Sequence, residues 1–280
     1  MTVASPATGA ARRTEFGLRV ASSLVLVPVA LAATYGGYPW FELMLAVLAA
    51  AMAFEWAEMT AGVRPARQAA AIAAAALFSI VLAAHGHAAA VVGVIALAFV
   101  AALALGAITG DWRSAWKAGG LAYIALPCAS MVWLRELPAG LDLVVWLMVT
   151  VWGTDIVAYA VGRGVGGPRL APRVSPGKTW SGLIGGMLGA GTLSALLCVW
   201  HGLGAGTAAQ GFAAGMVLAV VAQGGDLFES ALKRRYGRKD SGRLIPGHGG
   251  VLDRLDGMLA AAPVMAALVW LVGGDLSAWR

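Results

Sequence analysis

The sequence predicts an all-α polytopic membrane protein with about nine transmembrane helices. Of its 280 residues, 60% are apolar and only 12% are charged, and the mean hydropathy is +0.78. Several apolar runs exceed about 18 residues, the length that a helix needs to cross the hydrocarbon core of a bilayer. These runs are apolar on every face, whereas the strands of a membrane barrel alternate apolar and polar residues. A bundle of membrane-spanning helices is therefore expected.

Nine apolar segments are predicted to form the membrane helices. They cover residues 18–36, 40–62, 68–84, 87–108, 115–134, 141–162, 180–200, 207–232 and 251–273. Pro127 interrupts the fifth segment, and charged residues make the start of the ninth polar. Residues 1–17, rich in Ala, Thr, Ser and Arg, are predicted to be a cytoplasmic N-terminal tail. Residues 18–280 contain no long linker and no repeat of fixed period, so they are predicted to form a single integral-membrane domain.

The first apolar segment has an alternative interpretation as a cleaved signal peptide. Arg12 and Arg13 precede it, and Ala30 to Ala33 resemble a cleavage region. Because many further apolar segments follow, retention of this segment as the first helix of a multi-span protein is the favoured interpretation. We expect an uncleaved first helix.

The distribution of basic residues predicts the topology. With the N-terminus in the cytoplasm, 18 of the 20 Lys and Arg residues fall on the cytoplasmic side, and only Arg135 and Arg280 fall outside. Cytoplasmic loops of membrane proteins carry such an excess of positive charge. The same bias explains the net charge of +6, so a nucleic-acid partner is not expected. The two most charged loops, residues 163–179 and 233–250, then share the cytoplasmic face.

The spacing of the two cysteines indicates neither a disulfide bridge nor a metal site. Cys128 and Cys198 both lie within apolar segments, where they are typical small buried residues. Neither a disulfide framework nor a structural zinc site is expected.

The eighth apolar segment ends in polar residues. Asp226, Ser230 and Lys233 have spacings of i, i+4 and i+7, so they share one face of a helix, with Glu229 beside them. The preceding Gly224–Gly225 pair allows another backbone or a ligand to approach closely. A carboxylate at the end of a membrane span is costly unless it is paired, hydrated or bound to a cation. An interfacial ion pair between Asp226 and Lys233 and a functional site are the two alternatives.

The segment from Lys239 to Gly250 cannot continue that helix, because it contains Pro246 and several glycines. A tight glycine turn can direct backbone N–H groups towards an anion, and the positive end of the ninth helix follows directly. Basic side chains surround this position: Lys233, Arg234, Lys239 and Arg254. His248, a lone histidine in a glycine loop, is as compatible with a structural role as with a catalytic one.

Two carboxylates open the ninth helix. Asp253 and Asp256 are i, i+3 neighbours that face the same way, so they repel each other unless a cation lies between them or Arg254 neutralises one. Oxygen ligands from carboxylates and phosphates suit Mg²⁺ far better than zinc or copper. Acidic residues for a metal beside basic residues and a glycine turn for phosphates predict phosphoryl or nucleotidyl transfer.

The other basic loop contains Ser175–Thr179, SPGKT, which superficially resembles a phosphate-binding P-loop. That motif requires glycine where this chain has Pro172, and no strand is predicted before it. Lys178 can still contact a phosphate as a point charge. A lysine that only reaches the membrane interface is the equally weighted alternative.

Three further acids lie within the predicted helices. Asp155, deep in the sixth segment, is either a functional residue or a partner of Thr154 or an arginine in a hydrogen bond between helices. Glu55 and Glu58 lie near the cytoplasmic end of the second segment, beside Arg64 and Arg67. A salt-bridged helix end is the favoured interpretation for them.

The stretch Ser230 to Asp256, SALKRRYGRKDSGRLIPGHGGVLDRLD, resembles the signature of the phosphatidate cytidylyltransferase (CDP-diacylglycerol synthase) family. That signature is S-x-[aliphatic]-K-R-x4-K-D-x-G-x2-[LIF]-P-x-H-G-G-x2-D-R-x-D, and every fixed position is met. The Gly225–Asp226 pair and the Val174–Trp180 stretch are similar to the family as well. The resemblance is strong over about residues 150–265, which are predicted to be the catalytic part.

The resemblance implies that CTP and phosphatidic acid react to give CDP-diacylglycerol and pyrophosphate. It implies a multi-pass enzyme of a bacterial-type inner (plasma) membrane that requires Mg²⁺, alone or with a second cation, and it is compatible with a homodimer. Because CTP is soluble and phosphatidic acid lies in the leaflet, the active site is expected at the cytoplasmic boundary of the membrane, in a groove between helices that opens sideways to lipid.

The predicted site residues have two roles. Asp226, Asp253 and Asp256 are expected to hold the metal, and together with Lys233 they form the predicted catalytic group. The substrates are expected to be bound by Lys178, Ser230, Arg234, Lys239, Asp240, His248, Gly249, Gly250 and Arg254.

Two other functions fit part of the pattern. A CTP-dependent kinase acting on a polyprenol would use similar chemistry but would release CDP in place of pyrophosphate. A transporter with Asp155, Asp226 and Asp253 as coupling sites would have inverted repeats and broken helices near the midplane. The sequence has no inverted repeat, and its charges cluster at one face.

Overall fold

Nine α-helices and one short hairpin make up the part of the chain that the structure describes. The computed structural model describes residues 9–60, 65–110, 113–202, 204–245 and 249–271. In chain order the elements are α1 Gly9–Gly36, α2 Trp40–Thr60, α3 Pro65–Ala84, α4 Ala88–Thr109, α5 Arg113–Glu136, α6 Gly140–Val165, β1 Arg169–Ala171, β2 Ser175–Thr179, α7 Trp180–Trp200, α8 Ala205–Arg235 and α9 Leu252–Leu271.

The predicted helix positions of α2 to α9 are confirmed to within three residues at the ends that the structure describes, and the predicted ends at residues 62 and 273 lie outside the described ranges. Helix α1 begins at Gly9, so residues 9–17 of the predicted tail are helical, and residues 1–8 lie outside the described ranges. Among the described residues, six helices are long and apolar enough to cross a membrane: α2, α3, α6, α7, α8 and α9. Helices α1 and α4 each contain a shorter apolar part, Leu24–Gly36 and Ala89–Ala101. The chain is therefore a multi-pass membrane protein, and its orientation stays a prediction.

A hairpin that the all-α prediction did not include connects α6 to α7. Strands β1 and β2 pair antiparallel, with Arg169 opposite Thr179. Thr179 then caps α7, because its hydroxyl accepts a hydrogen bond from the Gly182 N–H at 3.1 Å. Strands of three and five residues are too short to leave an alternating pattern in the sequence. The hairpin places Lys178 at the start of α7.

Two glycines of α8 allow its neighbours to approach closely. A Cβ atom at Gly215 would lie only 2.7 Å from the backbone oxygen of Ala190 in α7. A Cβ atom at Gly225 would lie 2.6 Å from the backbone oxygen of Asp256 in α9. Small residues permit this kind of backbone contact between membrane helices, where dispersion contacts replace the hydrophobic effect. The second contact brings the acidic residues of α8 and α9 together.

The apolar core lies mainly between α2, α3, α5, α6 and α9. Its largest fully buried apolar side chains are Trp56, Phe41, Met52, Ile80, Ile124, Leu134, Leu143, Leu147, Leu218, Leu252 and Met265. Leu252 is the first residue of α9, so the core holds the start of this helix against α2. A polar residue on the buried face of α2 is thereby brought to the N-terminus of α9.

We expect Gly215→Ala to destabilise the protein by about 1–3 kcal/mol, because the added methyl group would overlap the backbone oxygen of Ala190 in α7. Thermal unfolding in detergent measures this effect. The matched control is Gly206→Ala in the same helix, where a Cβ atom meets nothing within 4 Å. Equal melting temperatures for the two variants would contradict the proposed contact between α7 and α8.

Candidate active site

Lys233, near the end of α8, connects α8 to the start of α9. Its Nζ lies 3.1 Å from Oε1 of Glu229, one helical turn earlier, and 2.5 Å from Oδ1 of Asp253. The side chain of Glu229 is 0% exposed and that of Asp253 is 6% exposed. Buried charges are costly unless they are paired and hydrogen-bonded, so the single ammonium group stabilises both carboxylates. The contacts of Lys233 therefore differ from the Asp226–Lys233 pair that the sequence offered as an alternative.

Asp253 also organises the turn before α9. The backbone N–H groups of Ser241 and Gly250 each donate to its Oδ2 at 2.9 Å. Gly249 has a φ of +85°, a conformation that favours glycine, and a Cβ atom there would lie 3.0 Å from the same oxygen. The N–H of Gly250 is therefore used within the chain, whereas the sequence allowed the N–H groups of this turn to face an anion.

Lys178 and Asp226 come together from the hairpin and from α8. Nζ of Lys178 lies 2.5 Å from Oδ2 of Asp226, and the Ser230 hydroxyl donates to Oδ1 of Asp226 at 3.2 Å. The Nζ atom is buried, and among the described residues it forms no hydrogen bond of normal geometry. A buried ammonium group with protons to donate is suited to an anionic ligand. The contact between Lys178 and Asp226 therefore joins the hairpin to α8.

Asp155 and Asp256 place two more carboxylates near Asp226. Asp155 of α6 accepts a hydrogen bond from the Gln223 side chain at 3.3 Å, whereas the Thr154 hydroxyl bonds to its own helix. Both carboxylates are close enough to Asp226 to interact with it electrostatically. Within the described ranges, no three His, Cys, Asp or Glu side chains are arranged to hold a metal ion by themselves. A cation here would take further oxygen ligands from a substrate.

Glu55 of α2 belongs to the same cluster, although the sequence favoured a different role for it. The residue is 0% exposed, and its two oxygens accept hydrogen bonds from the N–H groups of Val251 and Leu252 at 2.9 Å each. The Ser241 hydroxyl donates to it at 3.2 Å. The prediction of a salt-bridged helix end is therefore wrong for Glu55, whose carboxylate instead caps the positive end of α9.

Local periodicity contained no signal for the burial of Glu55 or for its partners. Helix α2 is apolar on nearly every face, so the sequence does not distinguish the face of Glu55 from that of Glu58. In the structure Glu55 is buried with Ala49 and Met52, whereas Glu58 is exposed. The hydrogen-bond donors to the Glu55 carboxylate lie almost 200 residues later in the chain.

An aromatic contact connects Glu55 to the other side of the cluster. Trp56, the next residue, has its ring 5.3 Å from that of Tyr123 in α5. The Tyr123 hydroxyl lies 3.5 Å from Oε2 of Glu229, and its ring is 5.4 Å from that of Phe228. These contacts link α2 through α5 to α8, on the side opposite the turn that Glu55 caps.

The other predicted substrate-binding residues have different surroundings. Four of them carry exposed side chains at the end of α8, in the following turn or at the start of α9: Arg234, Lys239, Asp240 and Arg254. His248 lies outside the described residues. Of the neighbouring basic residues, Arg235 packs over the ring of Trp116 at 5.1 Å, and Arg238 donates to the backbone oxygen of Glu58 at 3.0 Å.

Comparisons with known proteins cover nearly the whole chain. Residues 17–272 match the family model described as the cytidylyltransferase family. A phosphatidate cytidylyltransferase of Brucella melitensis is 40% identical over 270 residues, which cover 91% of this chain and 92% of that protein. A protein of the same name from Pseudomonas aeruginosa is 36% identical over 270 residues, with 91% and 97% covered. One from Rickettsia bellii is 40% identical over 151 residues, with 52% and 65% covered.

We expect Glu55→Ala to destabilise the start of α9, because it leaves two buried N–H groups and the Ser241 hydroxyl without their acceptor. Each unsatisfied donor costs about 1–3 kcal/mol. Hydrogen–deuterium exchange should become faster at Val251 and Leu252, and the melting temperature should fall. The matched control is Glu58→Ala on the exposed face of the same helix. Unchanged exchange at both positions in Glu55→Ala would show that the carboxylate does not cap α9.

Proposed function

The chain belongs to the cytidylyltransferase family, and we propose that it transfers the cytidylyl group of CTP to phosphatidate, giving CDP-diacylglycerol and pyrophosphate. The observation that supports this most is the meeting of Lys178 and Asp226 next to the Lys233–Asp253 pair. It gathers positive charge for phosphates and carboxylates for a cation in a multi-pass membrane protein. The relatives that carry this enzyme name align over about nine tenths of the chain.

The reaction makes mainly electrostatic demands on the protein. A phosphate oxygen of phosphatidate attacks the α-phosphorus of CTP in line; the new P–O bond forms as the bond to the β-phosphate breaks, and pyrophosphate leaves with the electron pair. The acceptor phosphate is already an anion, so no Ser or Cys nucleophile is needed. The protein must hold two polyanions together and stabilise the charge that develops on the leaving group.

Lys178 and Lys233 contribute in different ways. Lys178 is suited to bind a substrate phosphate directly, because its buried Nζ has protons that form no hydrogen bond of normal geometry with the described residues. Lys233 is held from both sides by Glu229 and Asp253, so its charge has a fixed position. We assign Lys178 to the phosphates and Lys233 to the positive potential of the site, assisted by exposed basic residues at its mouth. Ser230 orients Asp226.

The carboxylates suit a magnesium ion. Asp226 and Asp256 offer hard oxygen ligands from adjacent helices, and Mg²⁺ is commonly bound by one or two carboxylates with substrate phosphates completing its coordination. We propose these two residues as its protein ligands. When bound, Mg²⁺ would act as a Lewis acid that stabilises charge on phosphate oxygens. Asp253 accepts hydrogen bonds from Lys233, Ser241 and Gly250. Its side chain is only 6% exposed, against 31% for Asp226, so we propose that Asp253 positions Lys233 and the turn.

The location follows from the charges and from the substrates. CTP is soluble in the cytoplasm and phosphatidate lies in the bilayer, so the reaction requires a site at the cytoplasmic membrane boundary. The concentration of Lys and Arg in the loops after α6 and α8 supports that orientation. The relatives are bacterial, which fits a bacterial inner membrane.

We expect Lys178→Ala to lower kcat/KM for CTP by about 100-fold, the usual cost of removing one preorganised group that stabilises charge. The assay follows CDP-diacylglycerol and pyrophosphate formed from CTP and phosphatidate in detergent micelles. The control is Arg173→Ala in the turn of the same hairpin, whose side chain is exposed. Full activity of Lys178→Ala would remove this residue from the site, and release of CDP in place of pyrophosphate would favour the kinase alternative.

We expect Asp226→Asn and Asp256→Asn to raise the Mg²⁺ concentration needed for half-maximal activity by about tenfold or more, because each removes a charged oxygen ligand. Asp253→Asn should instead lower kcat at every Mg²⁺ concentration. The control is Asp142→Asn, an exposed acid in the first turn of α6. A raised Mg²⁺ requirement in Asp253→Asn would show that Asp253 is a metal ligand after all.

A further inference from the structure

A wide apolar groove opens directly beside the charged cluster. It has a volume of about 740 Å³ and lies between α4, α5, α8 and α9. Gly224 and Gly225, which immediately precede Asp226, form part of its wall. Tyr123, whose hydroxyl contacts Glu229, forms another part. One end of the groove therefore reaches the polar residues of the proposed active site.

A second apolar cavity continues the first one away from the site. It has a volume of about 570 Å³, lies between α3, α4, α5 and α9, and shares Leu126 and Pro263 with the first. Trp133 and Trp270, far along α5 and α9 from the charged cluster, line it. We call the two together the acyl groove. From the first cavity to the second, the lining residue numbers rise along α5 and α9 and fall along α4, which indicates one continuous path.

The length of the acyl groove matches a lipid chain. The lining residues of α5 extend from Trp116 to Trp133, a span of about 25 Å at 1.5 Å per residue. One leaflet of hydrocarbon is about 15 Å thick, half of the bilayer core. A chain that spans one leaflet therefore fits between the site and the far end.

We propose that the acyl groove binds one acyl chain of the lipid substrate and that its distal part, around Ala267 and Trp270, determines the tolerated chain length. This inference rests on the proposed function, because only a lipid substrate has a phosphate for the charged cluster and a chain for the groove. Its walls near the site include the small residues Gly119, Ala122 and Ala260. These small residues leave space for an acyl chain whose phosphate lies beside Lys178.

The groove acts mainly by positioning. Lipid tails are as apolar as the groove, so moving a chain from the bilayer into it gives little transfer free energy. A chain held along α5 and α9 restricts the phosphate to the end of the groove, next to Asp226. Restricting the acceptor in this way raises the fraction of bound substrate that is aligned for attack. Blocking the distal part should therefore affect long chains and spare short ones.

The test compares dioctanoyl and dioleoyl phosphatidate as substrates of full-length variants in detergent. Ala267→Phe fills the distal part and should lower kcat/KM about tenfold for dioleoyl phosphatidate, while changing it less than about twofold for dioctanoyl phosphatidate. Ala122→Phe fills the part near the site and should lower kcat/KM for both substrates. The matched control is Ala213→Phe, on the exposed side of α8 and outside the walls of both cavities, which should change neither.

A photoreactive phosphatidate provides a measurement on the unmodified protein. With a diazirine near the end of one acyl chain, it should label residues 263–270 of α9, and excess dioleoyl phosphatidate should compete with the labelling. Labelling without competition would show that bulk lipid fills the groove and would overturn the proposal. The proposal would also be overturned if folded Ala267→Phe lost kcat/KM equally for dioctanoyl and dioleoyl phosphatidate, or lost it for neither. Wild-type turnover of dioctanoyl phosphatidate tests the proposed function separately.

Discussion

The ammonium group of Lys233 neutralises two carboxylates that the fold removes from water, and the arrangement of the site depends on this contact. Without it, Glu229 and Asp253 would be uncompensated charges between α8 and α9. Asp253 in turn accepts hydrogen bonds from the backbone N–H groups of Ser241 and Gly250, so the same contact sets the path of the chain from α8 to α9. Glu55 supports the other side of that turn from α2. The polar chemistry at this end of the bundle is therefore a connected network.

The network separates residues that hold the site from residues suited to act on a substrate. Glu55, Glu229 and Asp253 make their hydrogen bonds inside the protein, and all three are largely buried. Asp226 is 31% exposed, and the buried Nζ of Lys178 keeps protons for a ligand. A reaction between two polyanions requires charges that are in place before the substrates arrive. The buried contacts provide this support for the more accessible pair, Lys178 and Asp226. In the proposed function, acids of similar sequence context therefore have different roles.

The network lies at one end of the apolar helices, a position that suits a reaction between a soluble substrate and a lipid substrate. The charged cluster lies where α8 and α9 meet, and the acyl groove leaves it along α5 and α9. In the proposed reaction, a soluble nucleotide and a membrane lipid would reach the same few residues from opposite sides, and neither would leave its own medium. The close contact at Gly225, where no side chain separates α8 from α9, brings the polar and apolar parts this near to each other.

The sequence by itself determined the helices and the kinds of residue in the site. Runs of apolar residues set the bounds of α2 to α9, because the bilayer requires about 20 apolar residues per span. Polar residues at fixed spacing between such runs singled out Asp226, Lys233, Asp253 and Asp256. Only the tertiary structure decided which charges pair: Lys233 contacts Glu229 and Asp253, Lys178 contacts Asp226, and Glu55 caps α9. Apart from the pair within α8, these partners lie between 20 and almost 200 residues apart in the chain, and local periodicity reports only which face of a helix is buried. The packing of α2, α7, α8 and α9 brings them together.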